Sequence, residues 1–211
     1  MALPSSEIDI ANMALDFLGH EEVAVISPPI TETEQLVARH YPLSRRTCIR
    51  KYVPNFAKTR ASIARSGTPD YEYEDEYQLP NDYIRLLSVG DDIEERPVQR
   101  YDMGPGRKLL VDNGGDASIK IRYLADVEDV TKWDSLFTEK LVLELAIKLC
   151  MPITGDRELK GQLYQMLKSL EPEVYAVDGQ EVPPKRIDNS PMMARRFGYS
   201  TTQYDNRYIR Y

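Results

Sequence analysis

Along this chain the apolar positions recur first at helical spacing, then in short strand-like runs, then at helical spacing again. Ile8, Ala11, Leu15 and Leu18 fall three and four apart, Ile10, Ala14 and Phe17 widen the stripe, and Asp9, Asn12 and Asp16 remain as a narrow polar edge. Ser5 or Ser6 can cap this first helix, Glu7 suits its positive end, and Gly19 stops it. So wide an apolar arc predicts contact with more than one neighbour. After the loop HEEVAVISPPI, where Pro28-Pro29 forbids helix, a second helix is expected from about Thr33 to Tyr52, with Val37, Tyr41, Cys48 and Tyr52 on one side. Pro42 lies within it and predicts a kink or a late start. The stretch NFAKTRASIARS, ending at Gly67, reads as a short third helix.

From Thr68 to about Asp126 the period changes. RLLSVGDD, PVQRY, KLLVDN and SIKIRYLA are strand-like runs parted by Gly90-Asp91-Asp92, Gly104-Pro105-Gly106 and Asn113-Gly114-Gly115. These predict a small antiparallel β unit inserted between helices. Helix returns near Trp133, with Trp133, Phe137, Leu141, Leu145 and Leu149 stepping by four and Leu136 and Ala146 beside them. Pro152 and Gly155 break it. A last helix carries Leu159, Leu163, Met166, Leu167 and Leu170, with Pro172 expected to kink or end it. Short connections between amphipathic faces make antiparallel hairpins. The expected fold is therefore α+β and mainly α, an antiparallel bundle of about four helices with a small inserted antiparallel β unit. Its parts are N-terminal helices over 1–67, the β unit over 68–126, a helical hairpin over 127–179 and an extended arm over 180–211.

The arm is set apart by composition. Residues 180–211 hold three prolines, few aliphatics and the run FGYSTTQYDNRYIRY. Six basic side chains there against three acidic ones give +3, which leaves −10 on the remainder of a chain whose net charge is −7. A basic, tyrosine-rich segment of this kind cannot bury itself and is expected to order on a partner. The acidic remainder argues against a free-standing nucleic-acid binder. At 211 residues, with 42% hydrophobic and 29% charged, the chain can build one sizeable core. Cys48 and Cys150 have no metal-ligand spacing and read as buried thiols of a reducing compartment. The N-terminus shows no leader pattern and no apolar run nears the ~18 residues of a membrane span, so a soluble protein made in the cytosol is expected.

The candidate chemistry is concentrated in YEYEDEYQLPNDYIRLL, residues 71–87. In an extended conformation Tyr71, Tyr73 and Tyr77 would share one face and Glu72, Glu74 and Glu76 the other. Carboxylates two residues apart on a strand lie ~7 Å from each other, a separation compatible with an inverting glycosidase pair. Three acids in one environment, however, have nothing to drive their pKa values apart, which acid and base roles require. A hard-cation loop would need an Asp-x-Asp-x-Asp-Gly pattern, which does not occur. The remaining reading is an edge strand whose like charges block indiscriminate pairing and await a basic neighbour. Arg39, Arg46 and Arg50 fall within a narrow arc of the second helix. That ridge is either a solvated or internally paired face or a docking ridge for another subunit. His20 and His40 are too few and too separated for a zinc site, Gly104-Pro105-Gly106 precedes no helix, and no nucleophile elbow is present. An enzyme is not supported, and no cofactor is expected.

The order of segments resembles a known family. ANMALDFLG, HYPLSRR, FAKTRASIA and YEYEDEYQLPNDYIRLLSV are together similar to the head-to-tail adaptor proteins of tailed bacteriophages, which include tail tubular protein A and the head-completion proteins of short-tailed phages. The most specific element is Tyr77-x-Leu79-Pro80-x-Asp82-Tyr83-Ile84-Arg85-Leu86. The likeness covers residues 8–90 well and extends to about 179 by architecture. Asn55 stands where relatives often carry tryptophan, and Arg46 follows Arg45 where they often carry an acid. The resemblance implies a structural virion protein of the neck or tail, a homo-oligomeric ring, usually of twelve copies, between the portal and a downstream tail or nozzle protein. DNA would pass through its channel without specific binding, and no membrane is involved. It implies a portal-binding arm, which here would use Arg195, Arg196, Phe197, Tyr199, Tyr204, Arg207, Tyr208, Arg210 and Tyr211. Arg39, Arg46 and Arg50 facing Glu72, Glu74 and Glu76 of the next copy would supply the two unlike faces that a ring requires. The alternative is a virion-associated cell-wall or polysaccharide hydrolase.

Overall fold

The computed structural model describes residues 4–89 and 101–181. Helix α1 spans Glu7–Asp16 and begins in a capping box: Asp9 N donates to Ser6 Oγ at 3.2 Å, and Ser6 N donates back to Asp9 Oδ2 at 3.0 Å. Helix α2, Glu32–Tyr52, begins the same way, with Thr31 as cap and Glu34 reaching back. It runs unbroken through Pro42 and ends at Val53 in the left-handed region, φ +54. Helix α3, Ser135–Ile153, is capped by Asp134 and stops at Gly155, whose φ of +68 suits only glycine without strain. Helix α4, Arg157–Glu181, continues past Pro172.

The expected third helix is corrected. Residues Asn55–Ala57 form a single 3-10 turn, and Lys58–Gly67 is a ten-residue strand, β1. Alanines at 57, 61 and 64 and interspersed Lys and Arg suggest helix locally. The deciding pattern is a period of two in which Ala61 and Ile63 turn inward while Arg60, Ser62 and Ala64 face solvent. The small Ala61 conceals that alternation from a hydrophobicity count. Tertiary pairing then overrides propensity.

Strand β1 makes the sheet large. The other strands are β2 (Asp75–Gln78), β3 (Tyr83–Val89), β4 (Tyr101–Gly104), β5 (Lys108–Val111) and β6 (Ser118–Ala125). Their order is β3-β6-β1-β2-β5-β4, with every pair antiparallel. β1 pairs with β6 without interruption from Lys58↔Leu124 to Ala64↔Ser118, and its far end pairs with β2 at Arg65↔Tyr77. Among the described residues the fold is four helices with a six-stranded antiparallel half-barrel, and not a mainly helical bundle bearing a small β unit. The expected turn Gly90-Asp91-Asp92 and all of PVQRY but Tyr101, which opens β4, lie outside the described residues.

Two apolar cores result. Alternation along β6 sends Ile119, Ile121, Tyr123 and Ala125 into the sheet's own core with Ile63, Tyr77, Leu79, Leu109 and Val111. Leu124 points the other way and joins Ile84 in the helical core. There α3 is buried on nearly every side, because α1 and α2 pack against it and α4 adds Leu163 and Leu167. The α1 stripe buries Ile10, Ala11, Ala14, Leu15 and Leu18, whereas Met13 and Phe17, one turn apart, stay exposed. Met1–Asp178 is one compact unit; a second, Gly179–Tyr211, is described only as far as Glu181.

Candidate functional site

The expected acidic strand face does not form. Strand β2 starts only at Asp75, and residues 71–74 make a bend in which Glu72 takes a left-handed φ of +76. Within the strand it is Asp75 and Tyr77 that point inward, while Glu76 faces out and pairs with Lys108 Nζ at 2.9 Å. Glu72 and Glu74 are exposed on the bend. Glu72, Glu74 and Glu76 therefore do not line up two residues apart on one face, and the geometry that suggested a carboxylate pair is absent.

Beneath that segment lies a polar network that spacing alone did not reveal. Asp75 is fully buried; its Oδ2 accepts from Gly115 N at 2.9 Å, and Arg65 Nε sits 2.7 Å from Oδ1 as an ion pair off the hydrogen-bond direction. Arg65 Nε instead aims at the Gly67 carbonyl, 3.3 Å away. The buried Tyr77 hydroxyl donates to Asp116 O at 2.8 Å and accepts from Asn113 Nδ2 at 3.0 Å. This network anchors the Asn113-Gly114-Gly115 turn to β2.

The other residues of the family-like element are likewise engaged in folding. Leu79 is buried and its N–H donates to Arg107 O at 3.1 Å. Pro80 accepts from Tyr83 N at 3.2 Å, closing the turn into β3. The Asp82 carbonyl accepts from Asp126 N at 2.7 Å, and its carboxylate accepts from the Tyr123 hydroxyl at 3.2 and 3.3 Å. Burial, then the Asp82 charge, push the Tyr123 phenol up to about 12. Tyr83 stacks on Tyr123 with ring centroids 6.2 Å apart and accepts from Leu86 N. Arg85 is exposed.

Of the arginine ridge, Arg46 Nε lies 3.5 Å from Asp126 and Arg50 Nη1 donates to Ile84 O at 3.3 Å. Arg39 is exposed and makes no ion pair among the described residues. All three residues are exposed on one face of α2, and the structure places a fourth among them: Leu43, 60% exposed, between Arg39 and Arg46. The adjacent Arg45, by contrast, is buried. Its guanidinium takes Asp126 with two bonds (3.0 and 3.1 Å), Glu128 at 2.8 Å and Glu7 at 3.3 Å. One side chain thus ties the start of α1, the middle of α2 and the segment leaving β6. Burial works to lower its pKa, but the carboxylate bonds outweigh it and hold it above the ordinary arginine value.

A third polar cluster closes the helices. Lys51 Nζ donates to Tyr52 Oη at 2.7 Å and Glu171 at 2.8 Å, while Tyr52 Oη reaches Glu144 at 3.2 Å. Lys140, buried on α3, sits 3.6 Å over the Tyr52 ring centroid. Burial works to lower Lys51, but its Glu171 and Tyr52 bonds keep it above the usual lysine range. The cleft beside it, lined by Lys51, Glu144, Tyr164, Lys168 and Glu171, holds about 160 Å³. Pockets for small molecules ordinarily measure roughly 300–1,000 Å³. Among the described residues no three His, Cys, Asp or Glu side chains converge as a metal site, and no helix is long and apolar enough to cross a membrane. Cys48 and Cys150 are buried free thiols. Arg195, Arg196, Phe197, Tyr199, Tyr204, Arg207, Tyr208, Arg210 and Tyr211 lie outside the described residues.

No protein-family model matches this chain, and no curated protein matches it.

Proposed function

We propose that this chain is a non-enzymatic head-to-tail adaptor of a tailed bacteriophage, a ring-forming virion protein between the portal and the tail that extends the DNA channel. The observation that carries the reading is how the element Tyr77–Leu86 is used. It is the most specific part of the resemblance, and its Tyr77, Leu79, Asp82 and Tyr83 are committed to internal contacts. What is shared is then a scaffold, and function falls to the surfaces it supports. Those surfaces suit assembly: an acidic body that does not grip phosphates, an exposed ridge of arginines on α2, and a basic, tyrosine-rich C-terminal segment. In this reading segment 180–211 meets the portal and the opposite end of the ring meets the tail or nozzle protein.

Native mass spectrometry of the full chain with portal protein tests it. A fixed, ring-sized stoichiometry is expected, and truncation after Gly179 should weaken portal binding. A chain that remains monomeric and unbound beside the portal overturns the reading.

A further inference from the structure

We infer that neighbouring copies join through the Arg39–Leu43–Arg46 ridge of one chain and the Asp70–Tyr71–Glu74 bend of the next; the inference rests on the ring reading above. Residues 39, 43 and 46 lie four and three apart, so they share one face of α2. That face is turned away from α3. A leucine 60% exposed between two exposed guanidinium groups is an apolar anchor with a cationic rim, the composition of an interface centre.

The complementary surface is the bend between β1 and β2. Tyr71 is 80% exposed there, flanked by the exposed carboxylates of Asp70 and Glu74. Three hydrogen bonds to its backbone, two of them with side chains outside it, hold the bend. Glu74 N donates to Asp112 Oδ1 at 3.2 Å, Glu74 O accepts from Arg65 Nη2 at 3.3 Å, and Tyr73 N donates to Tyr71 O at 3.0 Å. The left-handed Glu72 at its centre, φ +76, is a backbone conformation that costs energy and that surrounding contacts must impose. A pre-ordered aromatic tip loses little entropy on docking.

Charge decides the occupant. The ridge is basic on a chain whose remainder outside 180–211 carries −10, so like faces repel while ridge and bend attract. The two surfaces do not satisfy each other within one chain. Arg46 and Arg50 bond Asp126 and Ile84, and no ion pair among the described residues joins Arg39, Arg46 or Arg50 to Asp70 or Glu74. They also sit on different parts of the fold. α2 packs against α3 and β3 on one side of the sheet order, whereas the bend leads into β2 on the other side of β1. Two unlike patches on one subunit define a heterologous contact, which repeats around a ring. Tyr71 then covers Leu43, with Asp70 and Glu74 against Arg39 and Arg46.

Two full-length charge-reversed variants test this. Arg39→Glu/Leu43→Glu alters the ridge and leaves Arg46 and Arg50 on their internal partners; Asp70→Lys/Glu74→Lys alters the bend. All four positions are exposed, so both variants should melt within a few degrees of the unaltered chain, which circular dichroism checks. By sedimentation velocity, each variant alone should need at least about tenfold more protein to self-associate. An equimolar mixture should recover part of the association, because a ridge carrying two new carboxylates beside Arg46 meets a lysine bend and an arginine ridge meets an acidic bend in alternation. If the unaltered chain associates and the variants associate equally well, the proposed contact is wrong while the adaptor reading stands. An unaltered chain that stays monomeric at ~1 mM, near the weak limit of specific contacts, also overturns the contact. The adaptor reading is then decided separately by portal binding.

Discussion

Arg45 and Asp126, 81 residues apart, are joined by a two-pronged contact: Nε to Oδ1 at 3.0 Å and Nη2 to Oδ2 at 3.1 Å. The arginine side chain is 5% exposed and the aspartate 14%, so water contributes little to either. A forked, nearly dry pair of this kind is geometrically specific, and only arginine makes it. It fixes the segment between β6 and α3 against α2, and Asp126 N, donating to Asp82 O, carries the same restraint into β3.

Replacing Arg45 with methionine should therefore destabilise the fold by about 3 kcal/mol, because it leaves Asp126 charged and largely desolvated with only the longer Arg46 contact at 3.5 Å. Arg45→Met combined with Asp126→Leu should recover part of that loss, since removing both charges avoids a buried carboxylate stripped of its two-pronged partner. Urea unfolding of the single and double variants measures both. Equal stability of Arg45→Met and the unaltered chain would show that the pair is merely adjacent.

Alkaline pH should unfold the protein earlier than its charge alone would suggest. Burial, first among the causes, pushes the Cys48 thiol from an ordinary 9.0 up to about 12 and the Tyr123 phenol from 10.0 up to about 12. Tyr41 and Tyr52 move in the same direction, again chiefly by burial. A group whose folded pKa is raised keeps its full contribution below its unfolded pKa and loses it as pH rises through the folded one. The urea midpoint should thus hold to about pH 9 and fall steadily toward 12. Native Cys48 should also resist thiol reagents at pH 8 and react once urea exposes it.

The acid limb should depend on the cap of α2. The Glu34 carboxylate accepts from the backbone N–H of Thr31, Ile30 and Val25 at 2.8, 2.7 and 3.4 Å, which holds its pKa below the ordinary 4.5. A depressed carboxylate contributes fully above its unfolded pKa and loses that contribution as pH falls through the folded value. Glu34→Gln should lower stability at neutral pH and flatten its slope below pH 4.5. Thermal melts from neutral to acidic pH check this. An unchanged acid slope in the Glu34→Gln variant would show that the cap is not linked to proton uptake.

Residues that interact within a few positions were readable in the chain alone. The apolar spacing of α1, α3 and α4, the Ser6 cap and the stop at Gly155 are local, so helix existence followed from them. The turns Gly104-Pro105-Gly106 and Asn113-Gly114-Gly115 announced strands on either side for the same reason. Arg39, Arg46 and Arg50 also stand exposed together as their spacing implied.

What needed tertiary structure was every feature whose partner is distant. Lys58–Gly67 carries helix-forming residues, yet becomes the strand that unites the sheet because β6, some fifty residues on, offers it a full ladder. Once β2 begins at Asp75, alternation turns Asp75 inward and Glu76 outward, a register set by pairing with β5 and not by the acids themselves. Arg45 looks like one more surface arginine until Glu7, Asp126 and Glu128 are gathered around it. Hydrophobic period and caps act through the nearest turn of backbone, so the order of residues determines them. Burial of charge and pairing of strands depend on contacts that exist only after the chain has closed on itself, and those the fold decided.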